Sequence, residues 1–422
     1  MNEIINGTRF DLFAKYIYAK YKRMDIKSTW YVDLYKDHIM VLNGGWEYPG
    51  NKKTNIDHFV NEYDRLIIYY TTDLLVPKGI RINSNNILVD GAHRFVLAFM
   101  FIGGFDWSYY KTTCLDFVQG YNYEFFQNRL KYGIDYLPEY IQRKVIPTLN
   151  PIWMDEMARE ACYIHRNVRI ISVFPCANRK DIESILQKEG QIVYKKTINF
   201  TDNGLLRFIY ELYDGETWHG YTREDKQRDV TGNSQMNECT FYVFIPKNIG
   251  VDMVRLKSVL RIHCENRHSV HINDTHDEAL RYANQILNEN SIHHLNYGQQ
   301  LSPTNQKQFN VYRTEFNDNS KCIDSSFVLA LYGLREAKDL DYLHALNTIT
   351  FDTVDGIHSH NSELKYYDCS VDDILYDPRK HFYTRGCKVA TLETVRDMKI
   401  NRNEEKDRND IELIDESRLM EL

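Results

Sequence analysis

The sequence predicts a multidomain protein of the α+β or α/β class. Its 422 residues are too many for one ordinary hydrophobic core, and the proportions of 43% hydrophobic and 26% charged residues are typical of a globular protein in water. Helical and strand patterns alternate along the middle of the chain, which favours mixed layers of helix and sheet. We expect three domains, at residues 1–145, 146–300 and 301–422.

Composition also limits the partners and the compartment. The net charge of −7 disfavours a nucleic-acid partner, because non-specific binding of that kind needs a basic face. The eight Cys include no C-x-x-C pair, the chain starts with polar residues, and no apolar run reaches about 18 residues. These features predict a cytoplasmic protein with free thiols and no membrane association. They leave the oligomeric state open.

The first domain is expected to begin with two amphipathic helices. Apolar spacing predicts one over residues 10–21, capped by Thr8, and another over residues 55–70. A hairpin follows over residues 79–89, with its turn at Asn83-Ser84-Asn85. The motif Asp90-Gly91-Ala92-His93-Arg94 then opens an apolar helix that ends at Gly103-Gly104.

A strand, this motif and a helix in succession form an arrangement that binds phosphate. Gly91 permits a sharp turn, and the N–H groups at the start of the helix attract an anion. The Arg94 guanidinium can hold a phosphate with two hydrogen bonds, and the His93 ring can bond to a phosphate oxygen. The alternative is an ordinary helix cap at Asp90, with Arg94 in a surface ion pair.

Asp90, Gly91, His93 and Arg94 resemble the Asp-Gly-His-x-Arg motif of the ParB/sulfiredoxin-like family, over roughly residues 40–105. The resemblance implies nucleotide binding and, in the kinase branch, phosphoryl transfer to a small hydroxyl compound activated by an acidic residue. Glu47 is the candidate for that residue, with Asp90 as the alternative. Sulfiredoxin chemistry is not expected because Ala92 replaces the family's Cys.

The middle domain shows the alternation of elements most plainly. Its polar stretch at residues 217–237 predicts a mobile loop. His271, Asp274 and His276 suggest either a metal site or a helix cap at Asp274 and Thr275, and the cap is favoured. Strands are expected at residues 170–174, 191–200 and 240–245, and helices at residues 179–188, 204–213 and 252–264.

The third domain contains the second candidate site. After a polar linker at residues 301–309, the turn Ser325-Ser326 precedes a helix, and Asp339-Leu340-Asp341 follows on a strand. Carboxylates one residue apart on a strand face the same side, where they can hold Mg²⁺ against a triphosphate. The two Ser would contact phosphate, and the cations that would neutralise developing charge are Lys399, Arg402 and Lys406. The alternative is an exposed strand edge beside a solvated helix.

This order of turn, helix and Asp-x-Asp strand resembles the nucleotidyltransferase superfamily. Lys399 and the run Lys406-Asp407-x-x-Asp410 resemble its abortive-infection and minimal members, over roughly residues 320–415. The resemblance implies a mixed sheet with helices, Mg²⁺-dependent transfer of a nucleoside monophosphate, and metal ligation by Asp339 and Asp341. The family's Gly-Ser is replaced by Ser325-Ser326, and its third carboxylate is open between two candidates, Glu363 and Asp368.

The sequence therefore predicts a Mg²⁺-dependent transferase that passes phosphoryl or nucleotidyl groups from ATP or CTP to a small-molecule acceptor, in surface-glycan (polysaccharide) assembly. One alternative is a small-molecule kinase that acts only through the first domain. Another is a non-enzymatic nucleotide-sensing module in phage defence or partition.

Overall fold

The computed structural model describes residues 7–47, 53–72, 79–83, 87–102, 120–216, 222–248, 250–346 and 356–420. It combines helices with open sheets, in agreement with the α+β class. Within these residues, no helix has the length and apolar character needed to cross a membrane.

The chain divides into two compact units, and the predicted boundaries at residues 145 and 300 do not coincide with their limits. The chain passes between the units more than once. The division into three domains stays a prediction. The first unit comprises Met1–Arg169, Asp181–Lys195 and Tyr242–Asp252. The second comprises Ile170–Lys180, Lys196–Phe241 and Met253–Leu422.

The two predicted helices at the start of the first unit are confirmed. They are α1 (Asp11–Arg23) and the third helix, at Ile56–Thr72. Thr8 does not cap α1; Phe10 occupies the N-cap position and makes no side-chain cap. In chain order, the α-helices described in this unit are α1, α2 (Trp30–Asn43), α3 (Ile56–Thr72), α4 (Ala92–Phe101), α5 (Tyr123–Gln127), α6 (Glu139–Gln142), α7 (Pro151–Ile164) and α8 (Ile182–Glu189).

Tyrosine rings join the first three helices. Tyr18 of α1 lies 4.7 Å from Tyr35 of α2 and 5.3 Å from Tyr63 of α3, between ring centroids. The rings of Tyr35 and Tyr63 are 5.4 Å apart. Buried aromatic pairs contribute about 0.5–1.5 kcal/mol each beyond their buried area, so this cluster fixes the helices against one another.

The predicted hairpin and the helix after it are also confirmed. Strand β1 (Arg81–Ile82) pairs antiparallel with β2 (Leu88–Asp90), and α4 follows directly. Residues 84–86 and the predicted helix end at Gly103-Gly104 lie outside the described residues.

Two further sheets follow along the chain. A four-stranded sheet contains β3 (Arg169–Val173), β4 (Gly190–Phe200), β5 (Asn237–Pro246) and β6 (Val270–Ile272), in the order β4-β5-β3-β6. A five-stranded mixed sheet in the second unit contains β7 (Lys321–Asp324), β8 (Leu340–His344), β9 (Ile357–Ser359), β10 (His381–Thr384) and β11 (Cys387–Ala390), in the order β10-β11-β7-β8-β9.

The predictions of a mobile loop at residues 217–237 and of a linker at residues 301–309 were wrong in part, because each of these stretches contains helical residues. Helix α9 (Asp202–Leu212) is followed by α10 (Arg223–Thr231), which lies within the expected loop. A reciprocal hydrogen-bonded cap between Thr222 and Asp225 forms the start of α10. Strongly polar helices lack the apolar stripe on which sequence prediction relies. The remaining helices of the second unit are α11 (Met253–His263), α12 (His276–Ile286), α13 (Glu289–Tyr297), α14 (Pro303–Val311, in the expected linker), α15 (Ser326–Leu331), α16 (Val371–Tyr376), α17 (Leu392–Arg402) and α18 (Glu405–Met420).

The favoured cap near His271 is confirmed. Thr275 and Glu278 form a reciprocal cap at the start of α12.

Candidate functional site

The turn between β2 and α4 shapes the first candidate site. Gly91 has φ +79°, a backbone conformation that favours glycine. A Cβ at this position would lie 2.9 Å from the Cα of Ile80 and would also collide with the carbonyl oxygen of Gly79. The turn therefore needs glycine both for its conformation and for the close approach of the preceding strand.

A cavity of about 960 Å³ opens beside this turn within the first unit. Every residue that the sequence nominated for the first site lines it: Glu47, Asp90, Gly91, His93 and Arg94. Six charged residues that the sequence did not nominate also line it: Arg9, Asp11, Lys15, Lys53, Glu62 and Arg65. The fold thus brings Glu47 to the same space as a motif that lies more than forty residues further along the chain.

The nominated side chains have defined positions. Asp90 is exposed, and its Oδ1 accepts a hydrogen bond from the Gly91 N–H at 2.7 Å. The Lys53 ammonium lies 3.2 Å from Oε1 of Glu47. His93 Nε2 lies 2.8 Å from the Tyr35 hydroxyl, and Arg94, which is exposed, donates to the carbonyl of Gly79 at 3.3 Å.

Three charged residues are buried together at this cavity. Asp11 accepts hydrogen bonds from Arg9 at 2.8 and 2.9 Å and from Lys15 at 2.6 Å. Burial by itself would raise the pKa of Asp11, but the two cations outweigh it and hold that pKa well below its usual range. Two cations and one carboxylate leave an excess positive charge, and burying uncompensated charge is costly.

This excess charge affects the neighbouring histidines. Burial lowers the pKa of His93 well below its ordinary value, and Lys15 and Lys53 lower it further. Burial and then Lys15 lower the pKa of His38 in the same way. Both rings are therefore neutral near pH 7, and the site favours an anion over a further cation.

The second candidate site lies on the five-stranded sheet. Strands β7 and β8 are antiparallel, and their register places Asp324 directly opposite Asp341. Asp339 immediately precedes β8. Carboxylates directly opposite one another on a sheet repel unless a proton or a cation lies between them.

Asp324 was not among the site residues predicted from the sequence, and it belongs to the same group of carboxylates as Asp339 and Asp341. It is fully buried, and its Oδ2 accepts hydrogen bonds from His360 Nδ1 at 2.8 Å and from the Tyr367 hydroxyl. Its Oδ1 is buried and has no hydrogen-bond partner among the residues that the structure describes. The sequence signal was its position as the last residue of a strand, directly before Ser325.

Neither sequence candidate for the third carboxylate faces Asp341 in the way that Asp324 does. Asp368 accepts a hydrogen bond from Asn401 at 2.8 Å, and Glu363 lies 3.6 Å from Arg402.

The charges in this group shift one another's protonation. Burial raises the pKa of Asp341, and the Asp339 and Asp324 carboxylates raise it further, against the opposing effect of His360. Burial would lower the pKa of His360, but the hydrogen bond and charge of Asp324 and the charge of Asp341 raise it overall. These shifts show a local excess of negative charge.

The turn after β7 keeps a glycine-like conformation without a glycine. Ser325 has φ +59° and ψ −138°, and its side chain hydrogen-bonds to Asp341. Such a backbone costs on the order of 1–3 kcal/mol in a residue other than glycine. Ser326 begins α15 and is half-buried.

The nominated lysines have different surroundings. Lys399 is buried, and its ammonium lies 2.8 Å from Asp410 and 3.2 Å from Asp407. Asp410 also accepts from Arg335 at 2.5 Å, and Asp407 from Arg402 at 2.7 Å. This ion network joins α17 to α18, so the ion pairs of Lys399 stabilise the packing of these two helices.

Lys406 has two thirds of its side chain exposed, at 66%, and lies 3.0 Å from Glu404.

The donors at the second site fit Mg²⁺ held together with a nucleotide. Within the described parts of the chain, no three His, Cys, Asp or Glu side chains are arranged to hold a metal ion by themselves. Mg²⁺ usually needs only one or two carboxylates beside phosphate oxygens and water. The unpartnered Oδ1 of Asp324 and the raised pKa of Asp341 both indicate that a cation would be favourable here.

Comparisons of this chain with protein-family models, curated proteins and solved structures find no match. The ParB/sulfiredoxin-like and nucleotidyltransferase-like resemblances therefore stay predictions. Any function proposed for the two sites rests on their geometry and charge.

Replacing Lys399 by Met should lower the free energy of unfolding by about 3 kcal/mol, because two carboxylates would lose a buried cation. Urea unfolding followed by circular dichroism measures the change. The matched control is Lys406→Met, which removes an exposed pair and should cost no more than about 0.5 kcal/mol. Equal losses in the two variants would contradict a buried ion network.

Replacing Asp341 by Asn should stabilise the protein near pH 7 by about 1 kcal/mol. A carboxyl whose pKa is raised by folding contributes stability at low pH, and the folded state loses that contribution as pH rises through the raised value. The gain should shrink as pH falls toward 4, the region of the ordinary Asp pKa. Thermal melts from pH 4 to 8 test this, with Asp397→Asn as the control for loss of one charge. A pH-independent difference would refute the assignment.

Proposed function

We propose that the cavity of the first unit binds the phosphates of ATP or CTP and transfers a phosphoryl group to a small-molecule acceptor. The observation that carries this proposal is the cavity itself. Glu47 and the motif residues Asp90, Gly91, His93 and Arg94 were nominated from two separate parts of the sequence, and all five line one space.

Charge supports a polyphosphate ligand. The buried group of Arg9, Asp11 and Lys15 has excess positive charge, and the other charged residues that line the cavity balance in number: Lys53, Arg65 and Arg94 against Glu47, Glu62 and Asp90. A triphosphate would supply the compensating negative charge, and charge-assisted hydrogen bonds to phosphate are among the stronger ones in proteins. Exposed Arg94 has donors to offer a phosphate, while neutral His93 can bond without adding charge.

The transfer step needs one base. The acceptor's hydroxyl oxygen attacks the terminal phosphorus, the bond from that phosphorus to the bridging oxygen breaks, and a nucleoside diphosphate leaves. The hydroxyl proton passes to Glu47, with Asp90 as the alternative base. Lys53 lies beside Glu47 and keeps that carboxylate next to a positive charge before the acceptor arrives.

Glu47→Gln should lower phosphoryl transfer by about 10²–10⁴-fold, because the amide accepts no proton, while nucleotide affinity stays within about threefold. The measurements are release of nucleoside diphosphate from labelled ATP and CTP across a panel of hydroxyl metabolites, and calorimetric binding of the nucleotides. The matched control is Glu139→Gln, whose side chain is 78% exposed in a surface pair with Arg143.

Normal turnover in both Glu47→Gln and Asp90→Asn would overturn the assignment of the first unit as the transferase. Nucleotide binding with no turnover in the unmodified protein would favour the nucleotide-sensing alternative instead.

A second candidate function is Mg²⁺-dependent nucleotidyl transfer at the second unit. The observation that favours it is the pairing of Asp324 with Asp341 across two strands, with Asp339 adjacent. Asp339 and Asp341 would hold the ion, which when bound neutralises phosphate charge. Ser325 is hydrogen-bonded to Asp341 and keeps that carboxylate in place. Because Lys399 is held by two carboxylates, we assign it a positioning role.

Asp339→Asn should reduce Mg²⁺-dependent pyrophosphate release by about 100-fold or more, with nucleoside diphosphate release unchanged. Asp324→Asn should reduce it as well, whereas Asp368→Asn, the matched control from the same region, should not. A pyrophosphate assay with and without EDTA measures this. Unchanged pyrophosphate release in Asp339→Asn would exclude the second unit as a nucleotidyltransferase.

A further inference from the structure

A cluster of basic side chains in the second unit shares no residue with either candidate site. Lys226 of α10 is 7% exposed, as is His271 of β6. Lys257 and Arg261 of α11 are half-buried beside them. No carboxylate lies within ion-pair distance of Lys226 among the residues that the structure describes.

The hydrogen bonds of His268 favour an uncharged amine at Lys226. The Arg267 Nε–H donates to His268 Nε2 at 2.7 Å, and a guanidinium has no acceptor to offer in return. A neutral imidazole with an accepting Nε2 carries its hydrogen on Nδ1. His268 Nδ1 lies 3.1 Å from the Lys226 nitrogen, so the ring donates and the amine accepts through its lone pair.

Burial and one neighbouring guanidinium give Lys226 a substantial uncharged fraction near pH 8. Burial and then Arg261 lower the pKa of Lys226 to about 8, with Asp229 opposing. Burial and the Lys226 charge likewise lower the pKa of His268, whose Nε2 lies 3.5 Å from Asp229. The Tyr213 ring centroid is 5.8 Å from the amine, at the outer limit of about 6 Å for cation–π attraction, so it does little to favour a charged form.

The same cluster attracts anions. Burial lowers the pKa of His271 well below its ordinary value, and the positive charges of Lys257, Arg261 and Arg281 lower it further, as does the charge of Lys226 when that amine is protonated. Several positive groups thus act on one buried, neutral ring. A negatively charged group beside a nucleophilic amine is the ligand that this arrangement favours.

We propose that Lys226 is a nucleophile that condenses with an anionic carbonyl compound, an aldehyde or 2-oxo acid whose charged group contacts Lys257 and Arg261. The amine nitrogen forms a bond to the carbonyl carbon, and the carbonyl oxygen leaves as water with the two amine protons. The product is an imine, which needs no oxidant or reductant to form. The site would give the protein a carbonyl ligand in addition to its proposed nucleotide chemistry.

The test treats the full chain at pH 8 with glyoxylate and cyanoborohydride, which fixes the imine as a stable amine. Peptide mass mapping then measures the rate at each lysine. We expect Lys226 to be modified at least about tenfold faster than exposed Lys406, because an uncharged amine is the reactive form. The methyl ester of glyoxylate, which is neutral, should lose most of this preference.

Two variants separate the nucleophile from the anion contact. Lys226→Arg should abolish the fast modification, and Lys257→Gln should slow it for glyoxylate but not for the ester. Lys307→Gln, an exposed lysine on α14, is the matched control and should change neither rate.

Failure to modify Lys226 while Lys406 reacts would overturn the proposal, and equal rates with glyoxylate and its ester would overturn the anion contact. No nucleotide is present, so these outcomes are independent of the transferase proposal.

Discussion

The buried ion group of Arg9, Asp11 and Lys15 is the interaction on which the first unit depends. Arg9 also donates to the carbonyl of Leu88 in β2, and the Tyr63 hydroxyl of α3 donates to the carbonyl of Lys15. One group of charges therefore connects α1, the hairpin and α3, which together surround the cavity. A buried carboxylate with two cations holds these elements in position and leaves the positive charge that an anionic ligand would compensate.

The second unit presents the opposite electrostatic situation on a sheet. Asp324 and Asp341 face one another on neighbouring strands, and His360 and Tyr367 occupy only one oxygen of Asp324. Burial raises the pKa of Asp341, and the neighbouring carboxylates raise it further. A site that retains repelling carboxylates costs stability, and a cation or a proton is what offsets that cost.

Both candidate sites use the same backbone device. Each lies where a strand turns into a helix through a residue with positive φ, Gly91 in one unit and Ser325 in the other. At Gly91 the neighbouring strand leaves no room for a side chain. At Ser325 the chain accepts a strained backbone, and the Ser side chain is directed to Asp341. Serine thus adopts a conformation that favours glycine and adds a hydrogen bond.

Local pattern predicted most of the elements that carry these residues. Apolar spacing identified α1 and α3, because burial of one helical face leaves a periodic trace in the sequence, and a continuous apolar run identified α4. Polar helices such as α10 leave no such trace, and the Thr222–Asp225 cap is the feature of the sequence that indicates where α10 begins.

By itself, the sequence determined the two strand–helix turns and their candidate side chains, since turn chemistry and periodicity are local properties. Only the tertiary structure decided which distant residues meet them. Asp11 and Lys15 reach the cavity through helix packing, and Asp324 opposes Asp341 through strand register. It also placed Lys399 between two carboxylates. The reason is that burial and strand pairing join residues far apart in the chain, and no local pattern encodes the partner.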